Sequence, residues 1–144
     1  MMDMFDCKKK LAILWFLVCG ILFLLMFFQF NHYGSYVDEA WGWLISSILP
    51  TLSLIISVFT VDALTEKRTK KSVDVFFFRL TFSLSAVYLL LILLMIILQP
   101  FMIGGDPSRI IEQMRKSHKF MGPLQGMVVA TLGIFFTRQS KLST

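Results

Sequence analysis

Four long apolar runs divide the chain, at residues 11–30, 41–61, 75–98 and 120–136, and only short polar gaps separate them. The hydrocarbon core of a bilayer is about 30 Å thick, and a helix needs about 20 apolar residues to cross it. Each run is close to that length, and no gap is long enough for a soluble domain. The pattern predicts an all-α polytopic membrane protein, with one domain over residues 1–144 and four transmembrane helices.

Composition and the lack of catalytic motifs argue against a soluble domain and against an enzyme. Hydrophobic residues make up 56% of the chain and charged residues 16%, which is too apolar for a soluble domain of this size. No P-loop, GxSxG, HExxH or glycine-rich dinucleotide turn occurs in the sequence. His32 and His118 are the only histidines, and two histidines on separate loops are a weak metal signal. We therefore expect no enzyme activity, no cofactor and no metal site.

The net charge of +5 is concentrated in a way that indicates membrane topology and not nucleic-acid binding. Ten of the fourteen basic residues lie before the first run, around the second gap or after the fourth run. With four spans these places share one side of the membrane, and excess Lys and Arg marks the cytoplasmic side. The distribution predicts both termini in the cytoplasm.

The third gap, residues 99–119, has an organisation of its own. Asp106 can cap a helix and Pro107 suits its first position, so a short helix is predicted to begin there. Its apolar and charged side chains fall on opposite sides at helical spacing. We expect a short extracytoplasmic amphipathic helix in the membrane interface before the fourth span. It would serve either as a connector or as a surface for lipid or an external partner.

The second span carries a stripe of small, hydroxyl and proline residues at steps of three and four, comprising Ser46, Pro50, Ser53, Ser57 and Thr60. A proline near the middle of a membrane helix has no N–H to donate, so one backbone carbonyl loses its partner. We expect neighbouring hydroxyl groups to satisfy that carbonyl.

The fourth span has a second stripe of small residues, comprising Gly122, Gly126, Ala130 and Gly133. Its first two members have the GxxxG spacing, which allows two helix backbones to approach closely. We interpret both stripes first as helix-packing surfaces. In the alternative interpretation the stripe of the second span lines a polar pathway between several copies, with the help of Gln125 or Gln29.

Charged residues at the cytoplasmic ends of the spans suggest two contacts. Asp62 and Arg79 lie about one turn inside the second and third spans, so we predict an ion pair that holds this hairpin. The loop between them carries four clustered basic residues, which are predicted to contact a cytosolic protein partner or anionic membrane lipid: Lys67, Arg68, Lys70 and Lys71. The plainer interpretation of this loop is a topology signal alone.

In length, span count and lack of a soluble domain, the chain resembles the small four-helix membrane subunits of bacterial phage-defence systems, such as the Kiwa-type membrane component. The motif Trp41-Gly42-Trp43 and the segments 41–53 and 119–126 are compatible with the resemblance, which carries no functional residue across. It implies a homo-oligomer in the inner membrane of a bacterium that responds to membrane disturbance and acts through a cytosolic partner. The predicted function is thus a non-catalytic, homo-oligomeric membrane subunit in antiviral defence, and the alternative is an oligomeric ion channel or pore-forming effector.

Overall fold

The computed structural model describes residues 2–64, 72–102, 104 and 106–137. Four long helices dominate it, and two short strands pair antiparallel, with Met2 opposite Val73 and Asp3 opposite Ser72. In chain order the elements are β1 (Met2–Asp3), α1 (Met4–Phe28), α2 (Phe30–Tyr33), one 3-10 turn (Gly34–Tyr36), α3 (Val37–Leu64), β2 (Ser72–Val73), α4 (Val75–Met102) and α5 (Pro107–Thr137). The four long helices are each long and apolar enough to cross a membrane, which confirms the predicted all-α class.

Side-chain pairs give the direction of each helix in the bundle. Glu39 contacts Arg115, and further along Phe59 contacts Phe136, so α3 and α5 run parallel. Phe77 near the start of α4 stacks on Phe135 near the end of α5, so these two helices are antiparallel. The main contacts join α1 to α3, α3 to α5, α5 to α4 and α4 to α1. The bundle therefore alternates in direction along the chain, and its ends are named here the Pro107 end and the Asp62 end.

The core of the bundle is filled by large side chains at helical spacing. Trp15 of α1, Leu44 of α3 and Tyr88 of α4 have no accessible surface, and the rings of Trp15 and Tyr88 lie 6.1 Å apart. Burial of such rings contributes dispersion contacts even where lipid replaces water as the surrounding solvent. Large apolar side chains on the outside, such as Phe27 at 68% exposure, suit a surface that faces lipid.

One prediction about the third gap is confirmed and one is wrong. The helix begins at Pro107 as predicted, and Asp106 caps it by accepting a hydrogen bond of 3.1 Å from the N–H of Ser108. It is not a separate short helix, because α5 continues to Thr137 without a break and contains Pro123. The predicted apolar side packs into the bundle and not into the membrane interface, since its residues are nearly inaccessible: Ile110, Ile111, Met114 and Met121.

Candidate functional site

The proline of the second span creates the most specific polar contact in the bundle. Pro50 lies inside α3 and has no N–H for the carbonyl of Ser46, four residues earlier. The side chain of Gln125 on α5 takes that place, since its Nε2 donates to the carbonyl oxygen of Ser46 at 3.2 Å and to that of Ser47 at 2.8 Å. An amide from the parallel helix therefore replaces the missing backbone donor.

A third helix joins the same contact. The hydroxyl of Tyr88 on α4 donates to the carbonyl oxygen of Ser47 at 2.7 Å, and both residues are buried. We call this set of contacts the proline clamp, and it consists of Ser46, Ser47, Pro50, Tyr88 and Gln125. Because an unpaired carbonyl is costly in hydrocarbon, the clamp fixes α3, α4 and α5 in one register.

The hydroxyl groups of α3 do not satisfy the carbonyl that Pro50 frees, so that expectation is wrong. The hydroxyls of Ser46 and Ser47 both donate back to the carbonyl oxygen of Trp43, at 2.9 Å and 2.8 Å. Hydroxyl groups in membrane helices often bond to the carbonyl one turn earlier, because that partner is always within reach. The longer side chain of Gln125 was needed to reach Ser46 from outside the helix.

The two predicted stripes lie on the outside of the single chain. The side chains of the α3 stripe are exposed, as are three of the four in the α5 stripe, with Gly133 half-buried. A Cβ atom added at Gly122 or Gly126 would meet no other atom within 4 Å. The stripes therefore do not serve as packing surfaces within one chain.

Both stripes border the same groove between α3 and α5. Gln125, which reaches Ser46 across the groove, lies three residues after Gly122 and directly before Gly126. The two helices are parallel and in contact along their length. We call this surface the small-residue face, and it consists of Ser46, Pro50, Ser53, Ser57, Thr60, Gly122, Gly126, Ala130 and Gly133.

The predicted ion pair between Asp62 of α3 and Arg79 of α4 is wrong, because Asp62 has a different partner. Asp62 accepts from the Nζ of Lys8 on α1 at 2.8 Å, whereas Arg79 is exposed. Lys8 is only 1% exposed, and its Nζ lies 5.6 Å from the centre of the Phe136 ring. The start of α1 lies beside the end of α3, which gives Asp62 a buried cation. The pair therefore ties α1 to α3 at the Asp62 end.

At the Pro107 end, polar contacts join α3 and α5 again. Arg115 donates to Glu39 at 2.6 Å, and the indole Nε1 of Trp43 donates to the hydroxyl of Ser117 at 3.1 Å. His118 meets the Trp43 ring edge-on at 6.2 Å between centroids. All of these residues except Ser117 help to line a shallow cavity of about 190 Å³. Among the described residues that line this cavity, none has a buried side-chain polar atom without a hydrogen bond, so the cavity does not indicate a ligand.

No group of three or more His, Cys, Asp or Glu side chains that could hold a metal ion occurs among the residues that the structure describes. His118 packs edge-on against Trp43, and His32 is exposed at α2. The four basic loop residues predicted to contact a partner or lipid, Lys67, Arg68, Lys70 and Lys71, lie outside the described residues.

Sequence reasoning missed two members of this arrangement. Tyr88 lies within an apolar run, but its spacing from Thr81 and Ser85, at seven and three residues, marks a polar side of α4 that is buried throughout. Hydropathy alone places Lys8 in the basic cluster before the first span, yet α1 already begins at Met4. Asp3 caps the start of α1, and recognition of this cap in the sequence places Lys8 one turn inside the bundle.

No protein-family model matches the chain, and no curated protein and no solved structure shows significant similarity to it.

Proposed function

We propose that this protein is a non-catalytic integral membrane subunit that assembles with further copies of itself through the small-residue face. The observation that carries the proposal is the open space over Gly122 and Gly126, where an added Cβ would meet nothing within 4 Å. The fold of one chain makes no use of this GxxxG spacing, so the spacing needs another helix to have an effect.

Membrane physics supports assembly at this face. Lipid tails are as apolar as leucine, so leucine-rich surfaces gain little by leaving lipid. A face of glycine, alanine and serine lets two backbones approach, and it is then stabilised by dispersion contacts and weak hydrogen bonds from Cα atoms. The rest of the outer surface carries large side chains such as Phe27, Phe76 and Phe101, each at least 68% exposed. The small-residue face is the part of the described surface best suited to helix packing.

The hydroxyl groups of the face favour a dry interface over a water-filled lumen. Ser57 donates to the carbonyl oxygen of Ser53 at 2.7 Å, and Thr60 donates to that of Ile56 at 2.9 Å. Hydroxyls that are satisfied within their own helix can pack against a second protein surface without water. The bundle of one chain is closed by Trp15 and Tyr88, so any pore of the alternative function would have to form between copies.

The proposal includes an orientation and a partner. Both termini face the cytoplasm, which rests on the distribution of Lys and Arg, and the bacterial inner membrane is taken from the resemblance alone. The basic loop with Lys67 and Lys71 would then be available to a cytosolic protein partner or to anionic lipid. A role in phage defence stays a prediction from the resemblance alone.

The test of assembly is the substitution Gly126→Leu in the full-length protein. The added side chain projects into open space in one chain, and leucine is a better helix former than glycine by about 0.8 kcal/mol. Each chain should therefore fold as before, whereas self-association should weaken at least about tenfold, equivalent to roughly 1.4 kcal/mol. Native mass spectrometry of the protein extracted in mild detergent would measure the oligomeric mass at several concentrations.

The matched control is Gly20→Leu on α1, which also lies in open space but away from the small-residue face. This variant should retain the wild-type oligomeric mass. An unchanged mass in Gly126→Leu, or a wild type that is monomeric in lipid nanodiscs, would refute assembly through this face.

The channel alternative has its own test in the same preparation. Ion flux from sealed liposomes would be compared between wild type and Ser53→Leu, which fills the small-residue face with an apolar side chain. We expect no flux from the wild type. A flux that is lost in the variant would favour the channel and assign its lumen to this face.

A further inference from the structure

A buried carboxamide at the Pro107 end has no partner for either of its polar atoms. Gln99, near the end of α4, is 3% exposed, and neither its Nε2 nor its Oε1 makes a hydrogen bond within the part of the chain that the structure describes. An unpaired buried polar group costs free energy, and in hydrocarbon the cost is higher than in a wet site. The position of Gln99 therefore suggests that something outside the chain satisfies it.

The space beside this side chain is a groove between α4 and α5. Its volume is about 150 Å³, and its lining combines Gln99 and Gln113 with four apolar side chains: Leu91, Leu94, Met95 and Leu98. Three of these, the leucines, are between 39% and 43% exposed, so the groove is open toward the surrounding lipid. It offers an apolar trough with hydrogen-bonding groups at one end.

Positive charge lies on the same side of α5 as the polar end of the groove. Arg109 lies four residues before Gln113 and Lys116 three residues after it, and positions three and four apart share one side of a helix. Both are strongly exposed, at 72% and 71%. Each has an acidic neighbour on the surface, but exposed pairs of this kind are worth little and leave the cation able to bind a second anion.

We propose that this groove binds an anionic phospholipid. One acyl chain lies against Leu91, Leu94 and Leu98, and the glycerol and ester region reaches Gln99. The carboxamide of Gln99, whose polar atoms are buried in the free chain, turns toward the groove when the lipid binds. Its Nε2 then donates to an ester or phosphate oxygen, and its Oε1 accepts from a headgroup hydroxyl. The phosphate lies toward Arg109 and Lys116, where the positive charge complements it. A lipid is the one ligand that matches the apolar trough, the unpaired carboxamide and the cations together.

The site is independent of the proposed assembly. It lies between α4 and α5, while the small-residue face lies on α3 and α5, and Gln99 on α4 takes no part in that face. A failure of either proposal would leave the other standing.

The experiment uses full-length protein freed of lipid in dodecyl maltoside, with phosphatidylglycerol as the probe. Phosphatidylcholine with the same acyl chains tests the headgroup charge, and glycerol phosphate tests whether the polar part binds without chains. Native mass spectrometry would count bound lipids, and thermal unfolding would report stabilisation. We expect phosphatidylglycerol to bind and to raise the unfolding temperature, with a weaker effect of phosphatidylcholine and none of glycerol phosphate.

The decisive variant is Gln99→Leu, which removes the polar group but nearly keeps its volume. Binding of phosphatidylglycerol should weaken about tenfold, which corresponds to the loss of hydrogen bonds to a charged or polar headgroup. Without lipid the variant should unfold at a higher temperature than the wild type, because it buries no unpaired amide. A merely structural role of Gln99 would not produce opposite changes with and without lipid.

Two further variants complete the experiment, one as a matched control and one as a second test of the groove. Gln29→Leu lies at the same end of the bundle, where Gln29 hydrogen-bonds to Tyr33 at 3.2 Å, and it should bind phosphatidylglycerol like the wild type. Gln113→Leu, at a half-buried position, should give a smaller loss and serves if Gln99→Leu does not fold. Equal binding by wild type, Gln99→Leu and Gln113→Leu would overturn the proposal, and so would the absence of bound phosphatidylglycerol from the wild type.

Discussion

Removal of the Gln125 amide should cost more when residue 50 is proline than when it is alanine. In the wild type the substitution Gln125→Leu takes the interhelical donor from two carbonyl oxygens, those of Ser46 and Ser47. The carbonyl of Ser47 keeps the hydroxyl of Tyr88 as a donor. The carbonyl of Ser46 cannot return to its usual helical partner, because Pro50 has no N–H.

The magnitude follows from these two contacts. Loss of one interhelical hydrogen bond in a membrane bundle costs about 0.6 kcal/mol, which applies to Ser47. A carbonyl left without a donor in hydrocarbon costs about 1–3 kcal/mol, which applies to Ser46 on the outside of the single chain. Gln125→Leu should therefore lower the free energy of unfolding by about 2 kcal/mol.

The substitution Pro50→Ala supplies the missing N–H, so the carbonyl of Ser46 gains a backbone donor. In that background Gln125→Leu should cost only about 0.6 kcal/mol, the value for the contact with Ser47. The difference between the two backgrounds, roughly 1.4 kcal/mol, is the coupling energy between residues 50 and 125.

The four proteins of this double-mutant cycle can be compared by equilibrium unfolding in mixed micelles with increasing SDS. Tryptophan fluorescence would follow the unfolding, since the chain has three tryptophans and Trp15 lies against Tyr88 in the core. Additive effects of the two substitutions would refute the idea that Gln125 compensates for Pro50.

Three further substitutions test the other contacts. Lys8→Met should destabilise the bundle by about 2–3 kcal/mol in the same assay, because it leaves Asp62 half-buried and unpaired, and the additional change Asp62→Leu should recover most of the loss. Tyr88→Phe should cost about 1 kcal/mol, since the carbonyl of Ser47 keeps Gln125 as a donor, and a loss above 3 kcal/mol would contradict this. Exchange of Glu39 and Arg115 should change stability by less than about 1 kcal/mol, because both side chains are exposed, and its effect should not depend on salt by more than that.

The four helices and their approximate positions could be predicted from the sequence, because about 20 consecutive apolar residues have few alternatives to a membrane helix. The ends of the helices were less predictable. α1 extends back to Met4 because the side chain of Asp3 caps it, and this extension places Lys8 in the bundle. The partner of Asp62 was misassigned for the same reason, since hydropathy alone assigns a lysine to the flank of a span.

The proline clamp was only partly predictable. Pro50 and the carbonyl that it frees could be recognised from the sequence, and Gln125 was identified as a polar residue of the fourth span. Their contact depends on the parallel alignment of α3 with α5, which neither stripe reveals. Helix neighbours in a bundle are set by long-range packing, and a period of 3.6 residues gives only the side of each helix that is buried. The burial of Gln99 was missed because its position at the end of an apolar run resembles that of a boundary residue.

The open space over Gly122 and Gly126 separates selection for a stable fold from selection for subunit assembly, although the two usually act on the same residues. At a core position such as Leu44, any change of side chain alters stability and therefore the amount of protein in the cell. At these two glycines a larger side chain meets no other atom of the same chain, so the stability of the single chain should not depend on it. Under the proposed assembly, mutation here would change the strength or number of subunit contacts while leaving each subunit intact. An evolving population could then tune when the subunits assemble without first having to repair the fold.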